Sequence, residues 1–170
     1  MNRSYVSIGT LLAALAVCSL PARVDARASD EADIKALEER FAAAFKAKDL
    51  KAIMACYVPD QSLVVFDVVP PRQYVGAPAY QKDFEEFFSM FPGPVEFEMS
   101  DLSVTVDGKI GYGHSIQRTV LTGKDGKKYE LTVRVTDGYR KINGKWLIAH
   151  EHVSVPVDLM TGKADLASKP

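Results

Sequence analysis

Across residues 30–48 the apolar side chains Ile34, Leu37, Phe41 and Phe45 recur at three- and four-residue intervals, the spacing of one helix face. Asp30, Glu31 and Asp33 at the start and Lys46 and Lys48 at the end suit the helix dipole. Asp49 is placed to cap a second, short helix from Leu50 to about Cys56, which Pro59 stops. A third helix begins near Pro78. Its Tyr80, Phe84, Phe87, Phe88 and Phe91 form one apolar stripe, read as core or pocket wall, that Pro92-Gly93-Pro94 ends.

Beyond Pro94 the period drops to two. Val95, Phe97 and Met99, and then Leu102, Val104 and Val106, alternate with polar residues. Three long strand-like segments follow at residues 110–121, 128–141 and 145–155. Asp107-Gly108, Asp125-Gly126 and Asn143-Gly144 punctuate them as hairpin turns. Residues 62–66 and 73–75 read as short strands around the Pro70-Pro71 turn.

The 170 residues suit one domain plus a processed segment. With 21 Lys+Arg against 22 Asp+Glu there is no basic excess of the kind a nucleic-acid binder carries. Asn2 and Arg3 precede an apolar run to Leu20, and Ala26-Arg27-Ala28 follows. Those are the parts of a secretory signal peptide, with cleavage expected after Ala28. The run is interrupted by Ser7, Gly9 and Thr10 and falls short of the ~20 residues of a membrane span. The reading is therefore a signal over 1–28, a domain over 29–157 and a polar tail over 158–170. The protein is expected to be exported, to a periplasm or to the medium, with no membrane attachment after cleavage. Cys18 leaves with the signal, and the lone Cys56 reads as a small buried hydrophobe.

Turn geometry fixes which strand residues meet. A two-residue Asn143-Gly144 turn sets Tyr139 opposite Ile148, Asp137 opposite His150 and Val135 opposite His152. A two-residue Asp125-Gly126 turn sets Tyr139 opposite Tyr112 and Asp137 opposite His114. At Asp107-Gly108 a three-residue loop matches Val104 with Tyr112 and Val106 with Ile110. His114, Asp137 and His150 then form a row across three strands on an otherwise apolar face, with His152 and Arg118 on the same face. A carboxylate between imidazoles satisfies its own burial and is suited to acid–base work near neutral pH. Arg134 and Glu151 fall on the opposite face, where they can pair with each other or with a second subunit.

The sequence resembles the SnoaL-like branch of the nuclear-transport-factor-2-like superfamily, which includes ketosteroid isomerases. Carrying the resemblance are Lys48-Asp49-Leu50, Tyr57-Val58-Pro59-Asp60, Tyr74-Val75-Gly76, Arg134-Val135-Thr136, the run from Asn143 to Ile148, and His152-Val153-Ser154. It implies an α+β, cystatin-like fold: a cone-shaped, curved antiparallel sheet wrapped by three N-terminal helices, with a deep pocket and a homodimer. It implies no cofactor and no metal. By motif position the isomerases' aspartate base falls on Asp67 and their oxyanion aspartate on Asp137, while the oxyanion tyrosine falls on Phe41. That departure, and the imidazoles expected beside Asp137, speak against steroid isomerisation.

Asp67, His114, Asp137 and His150 are thus the candidate catalytic residues, and Arg118, His152, Arg72, Tyr74 and Tyr112 the candidate ligand contacts. Asp67 could instead cap the turn at Val68-Val69, and Arg72 could be a solvated loop residue or Asp67's partner. Arg118 could hold a substrate carboxylate or a neighbouring protein carboxylate such as Asp67. Three imidazoles match a catalytic-zinc ligand count, yet the row suits hydrogen bonding at least as well. Two readings remain. One is a cofactor-independent isomerase-, cyclase- or dehydratase-like enzyme acting on a small, partly apolar molecule. The other is a non-catalytic ligand-binding or oligomerisation module.

Overall fold

The computed structural model describes residues 26–168. All but the end of the expected signal segment lies outside them. Helix α1 spans Ala26–Ala47 and buries Ile34, Leu37, Phe41 and Phe45, the face that the periodicity marks. Because it starts at Ala26, Asp30 lies a turn inside the helix. Its carboxylate accepts from Trp146 Nε1 at 3.1 Å and pairs with Lys141, which ties the helix to the sheet. Asp49 caps α2, Leu50–Met54, by accepting from the Ala52 amide at 3.0 Å. Helix α3 spans Ala77–Met90, with Pro78 in its first turn.

The strands are β1 (Val64–Phe66), β2 (Tyr74–Val75), β3 (Val95–Asp107), β4 (Ile110–Thr122), β5 (Lys128–Ile142) and β6 (Lys145–Ser154). They form one curved, unclosed sheet in the order β2-β1-β6-β5-β4-β3. The sheet is mixed rather than antiparallel, because β1 runs parallel to β6. The core lies between the helices and the inner face of the sheet, around Ile34, Leu37, Phe41, Tyr57, Tyr139, Trp146 and Ile148. Cys56 is buried there, its Sγ 3.5 Å from the Ala52 carbonyl, and burial pushes its thiol up to about 11.

All three long hairpins are present, but their alignment departs from the expected one. In β5–β6 the Asn143-Gly144 turn pairs Ile142 with Lys145 and Tyr139 with Ile148, as read from the sequence. A β-bulge then intervenes, with Ala149 as the extra residue, so that Gly138 faces His150 and Asp137 faces Glu151. In β4–β5 the loop has three residues, Lys124-Asp125-Gly126, closed by the Gly123 amide on the Lys127 carbonyl at 2.9 Å. Gly126 takes φ +76°, the left-handed position of a three-residue hairpin. That shift sets Gly113 opposite Asp137 and His114 opposite Thr136. In β3–β4 the turn is Gly108-Lys109, and Val104 and Val106 face Gly113 and Gly111, not Tyr112 and Ile110.

Candidate functional site

The shifted ladders change what the inner face carries. On β4 it presents Gly111, Gly113, Ser115, Gln117 and Thr119, all buried; on β5, Val133, Val135, Asp137 and Tyr139; on β6, Trp146, Ile148 and Glu151. Small residues on β4 leave room for rings from elsewhere. A Cβ at Gly113 would lie 2.9 Å from the Tyr139 hydroxyl, and one at Gly111 would lie 2.9 Å from Ile34 Cδ1.

Carboxyls and phenols occupy the middle of this face. Glu151 is 5% exposed. Its Oε2 accepts from the Tyr57 hydroxyl at 2.7 Å and its Oε1 from the Tyr80 hydroxyl at 2.6 Å. Tyr57 is held by the segment after α2, which is stitched to β6 by the Val58 amide on the Ile148 carbonyl and the Ile148 amide on the Cys56 carbonyl. Tyr80 reaches in from the first turn of α3, and its ring meets Tyr57 edge-on at 5.4 Å. Glu38, from α1, accepts from the Tyr139 hydroxyl at 2.8 Å. Asp137 is 3% exposed, and its Oδ1 has no hydrogen-bond partner among the described residues.

Burial decides the protonation of this group. It raises Glu151 and Glu38 to about 7 each, although the phenols that donate to them pull the other way. It raises Asp137 as well, reinforced by the nearby Glu151 and Glu38. Three carboxyls without a cation in their hydrogen bonds cannot all ionise at neutral pH, since like charges in a poorly solvated site repel strongly.

Glu151 also lines a cavity of about 120 Å³ that opens to solvent. Its walls are Phe41, Phe45, Phe84, Phe87, Phe97, Leu131 and Val133, with Gln117 and Thr119 from β4. Asp67, Val68, Val69, Tyr80, Asp83 and Val153 complete the lining. The space is of the order of the roughly 150 Å³ apolar cavity known to accept benzene. Asp67, just past β1, accepts from the Val68 amide at 2.5 Å and from the Tyr80 hydroxyl at 3.5 Å. It therefore both caps its turn and faces the cavity, the two roles the sequence left open. Burial raises its pKa, against the pull of the loop amides.

The other expected site residues are dispersed. His114 and Tyr112 point outward from β4, Tyr112 being 51% exposed. Arg118 points outward too and pairs with Glu130 at 2.7 Å. His150 and His152 lie on the outer face of β6: Nδ1–H of His150 donates to the Val64 carbonyl at 2.8 Å, and both rings meet Phe66. The row of His114, Asp137 and His150 is therefore not formed, because one extra loop residue and one bulge turn both imidazoles away from the aspartate. Arg72 is exposed in the loop before β2. Tyr74 lies outside the cavity lining and donates to Asp83 at 2.6 Å. Glu151 lies inside, not outside beside Arg134. Among the described residues no group of three or more His, Cys, Asp and Glu side chains is arranged to hold a metal ion, and no helix is long and apolar enough to cross a membrane.

Sequence reasoning missed Glu38, Tyr57, Asp83, Tyr139 and Glu151 as site residues, and read Tyr80 only as core or pocket wall. Glu38 had a signal: it lies four residues after Ile34 and three before Phe41, on the buried stripe of α1. Tyr139 was expected inside, but only as core. Glu151 had none, because alternation counted from Ile148 without the bulge puts it outside.

The SnoaL-like domain family matches residues 34–158 of the chain. No curated protein matches it. Among solved structures, a nuclear-transport-factor-2-like protein of unknown function from Pseudomonas putida is 34% identical. The match covers 84% of this chain and 98% of that one, with a TM-score of 0.76. A nuclear-transport-factor-2-like superfamily protein from Salmonella enterica is 15% identical over 78% of this chain and 94% of its own, with a TM-score of 0.70. A protein of unknown function with a cystatin-like fold, from Nostoc punctiforme, is 18% identical over 76% and 92%, with a TM-score of 0.63. The last two share the fold.

Proposed function

Because the chain belongs to the SnoaL-like domain family, we propose that its cavity binds a small, largely apolar molecule and moves a proton on it. The observation that carries this reading is the pair of carboxyls, Asp67 and Glu151, on the wall of one apolar cavity with the Tyr80 hydroxyl between them. Asp67 is the base, oriented by its loop amides. Glu151, poised near 7, is matched to donate or accept a proton at neutral pH. Tyr80 can pass its own proton to Glu151 while taking one from Asp67, so the proton that Asp67 takes from the ligand is handed on to an ionised Glu151. Asp137 and Glu38 act behind Glu151 by keeping further charge off this wall. The reaction class is isomerase- or dehydratase-like, without a cofactor.

Export belongs to the same reading, supported by the signal-like pattern over residues 1–28. So does assembly as a homodimer, which the family resemblance implies. The N-terminal residue of protein recovered from outside the cytoplasm, and its mass in solution, check these two points.

The chemistry is tested with 5-nitrobenzisoxazole, a flat, uncharged probe. A carboxylate removes its ring C–H proton, the N–O bond breaks, and a coloured nitrile-bearing phenolate forms. Turnover should saturate, exceed that of acetate at equal concentration, and fall at least tenfold in Asp67→Asn. Saturable binding without turnover would return the non-catalytic reading. Absence of binding would remove the pocket from the function altogether.

A further inference from the structure

The chemistry of the cavity wall limits what can enter, and this inference rests on the pocket reading above. The polar groups that face the space are the carboxyls of Asp67, Asp83 and Glu151, the Tyr80 phenol, the Gln117 amide and the Thr119 hydroxyl. Among the described residues no lysine, arginine or histidine lines it. Arg118 is on the outer face with Glu130, and all three histidines are outside as well. An anionic ligand would bring its charge beside three carboxyls with no counter-charge to meet it, a repulsion that a poorly solvated wall makes costly.

A cation meets the opposite situation. Asp83 lines both this cavity and the open groove beside it, which Val69, Pro70, Pro71 and Tyr74 also line together with Lys82 and Glu86, themselves paired at 3.6 Å, so its half-buried carboxylate stands at the mouth. Its Oδ1 accepts from the Tyr74 hydroxyl at 2.6 Å, and it has no ion-pair partner among the described residues. Its charge is close enough to Asp67 to raise that group further, so a positive ligand group would relieve both. The aromatic side chains of Tyr80, Phe84 and Phe87 line the same space, and aromatic rings attract cations. Most of the remaining wall is apolar, and the space is sized for a single ring.

We infer that the ligand is a small amine, its ammonium held at the mouth by Asp83 and its apolar ring inside the aromatic cavity, leaving Asp67 and Glu151 to act on the body of the molecule. Asp83 is then the residue that selects for charge.

Three probes that share one ring test this: benzylamine, benzyl alcohol and benzoate, each titrated into the full protein by calorimetry at neutral pH. Benzylamine should bind about tenfold tighter than the alcohol, and benzoate weakest. The advantage should shrink as salt rises, because the mouth is open to solvent. In Asp83→Asn, benzylamine should fall to within about twofold of the alcohol measured on the same variant, losing more affinity than the alcohol does. Equal binding of amine and alcohol in the wild type, tighter binding of benzoate, or an Asp83→Asn variant that weakens both equally would overturn the inference and leave the pocket standing. If none of the three binds, and 5-nitrobenzisoxazole does not either, the pocket reading and this inference fail together. If 5-nitrobenzisoxazole binds and none of these three does, this inference alone fails.

Discussion

Glu151 stands directly opposite Asp137 on the inner face of the β5–β6 ladder, and neither carboxyl is paired with a basic side chain among the described residues. With Glu38 they make an interior that favours bound protons. Burial raises Glu38 and Glu151 from 4.5 to about 7 and raises Asp137 too. Between pH 4.5 and 7 the folded protein therefore holds more protons than the unfolded chain. Its stability is greatest near the lower end of that window and falls as pH rises through the upper end. Together the raised carboxyls account for a loss on the order of a few kcal/mol across that window. Thermal unfolding should show a higher midpoint at pH 5 than at pH 8, and Glu151→Gln should flatten the dependence. A midpoint that rises over this range would contradict the raised carboxyls.

The phenols that hold Glu151 are the second point of test. Tyr57→Phe and Tyr80→Phe each remove one of its two donors and leave a buried carboxyl oxygen without a partner. Each change should cost about 1–3 kcal/mol in urea unfolding at neutral pH. The cost should shrink near pH 5, where Glu151 is protonated and needs less stabilisation. Tyr80→Phe should also slow turnover of 5-nitrobenzisoxazole, whereas Tyr57→Phe, whose hydroxyl reaches only Glu151, should affect it less.

The elements were legible in the chain and the alignment of the strands was not. Ile34, Leu37, Phe41 and Phe45 announce α1, Asp49 announces the α2 cap, and the Gly-containing pairs announce three hairpins. Each of those signals is local. Alignment depends on one loop residue at Lys124-Asp125-Gly126 and on one bulged residue, Ala149, and composition marks neither. Apolar matching also misled on β4. Its inner face carries Gly111, Gly113, Ser115 and Gln117 because rings and aliphatic groups from β5 and α1 fill that space, so Tyr112 and Ile110 are turned out. Asp67 is pointed to by motif position in the family resemblance, and it follows β1 directly, so no long ladder lies between the motif and its place on the cavity wall.

With all three imidazoles outside, their removal has a plain consequence. His114→Ala and His152→Ala should leave probe binding and turnover within about twofold of wild type. His150→Ala should do the same to function, but should cost about 1 kcal/mol of stability through the lost hydrogen bond to the Val64 carbonyl. Titration of the probe against the three variants, beside urea unfolding, separates the two effects. A tenfold loss of binding in His114→Ala would mean that the outer face, and not the cavity, carries the site.

Gly113 is where the ladder and the buried carboxyls meet. It sits opposite Asp137, and a Cβ there would come within 2.9 Å of the Tyr139 hydroxyl and 3.0 Å of the Ser103 carbonyl oxygen. The Tyr139 hydroxyl cannot retreat freely, because it donates to Glu38 at 2.8 Å. Gly113→Ala must therefore push the phenol off Glu38 or spread β3 from β4, and should cost about 1–3 kcal/mol. Tyr139→Phe removes the hydroxyl and with it the tighter clash, so the double variant should be less destabilised than the sum of the two single changes. Urea unfolding of the four proteins gives the coupling directly. Strict additivity would show that the strain falls on the Ser103 backbone and that Gly113 is there for the sheet, not for the phenol.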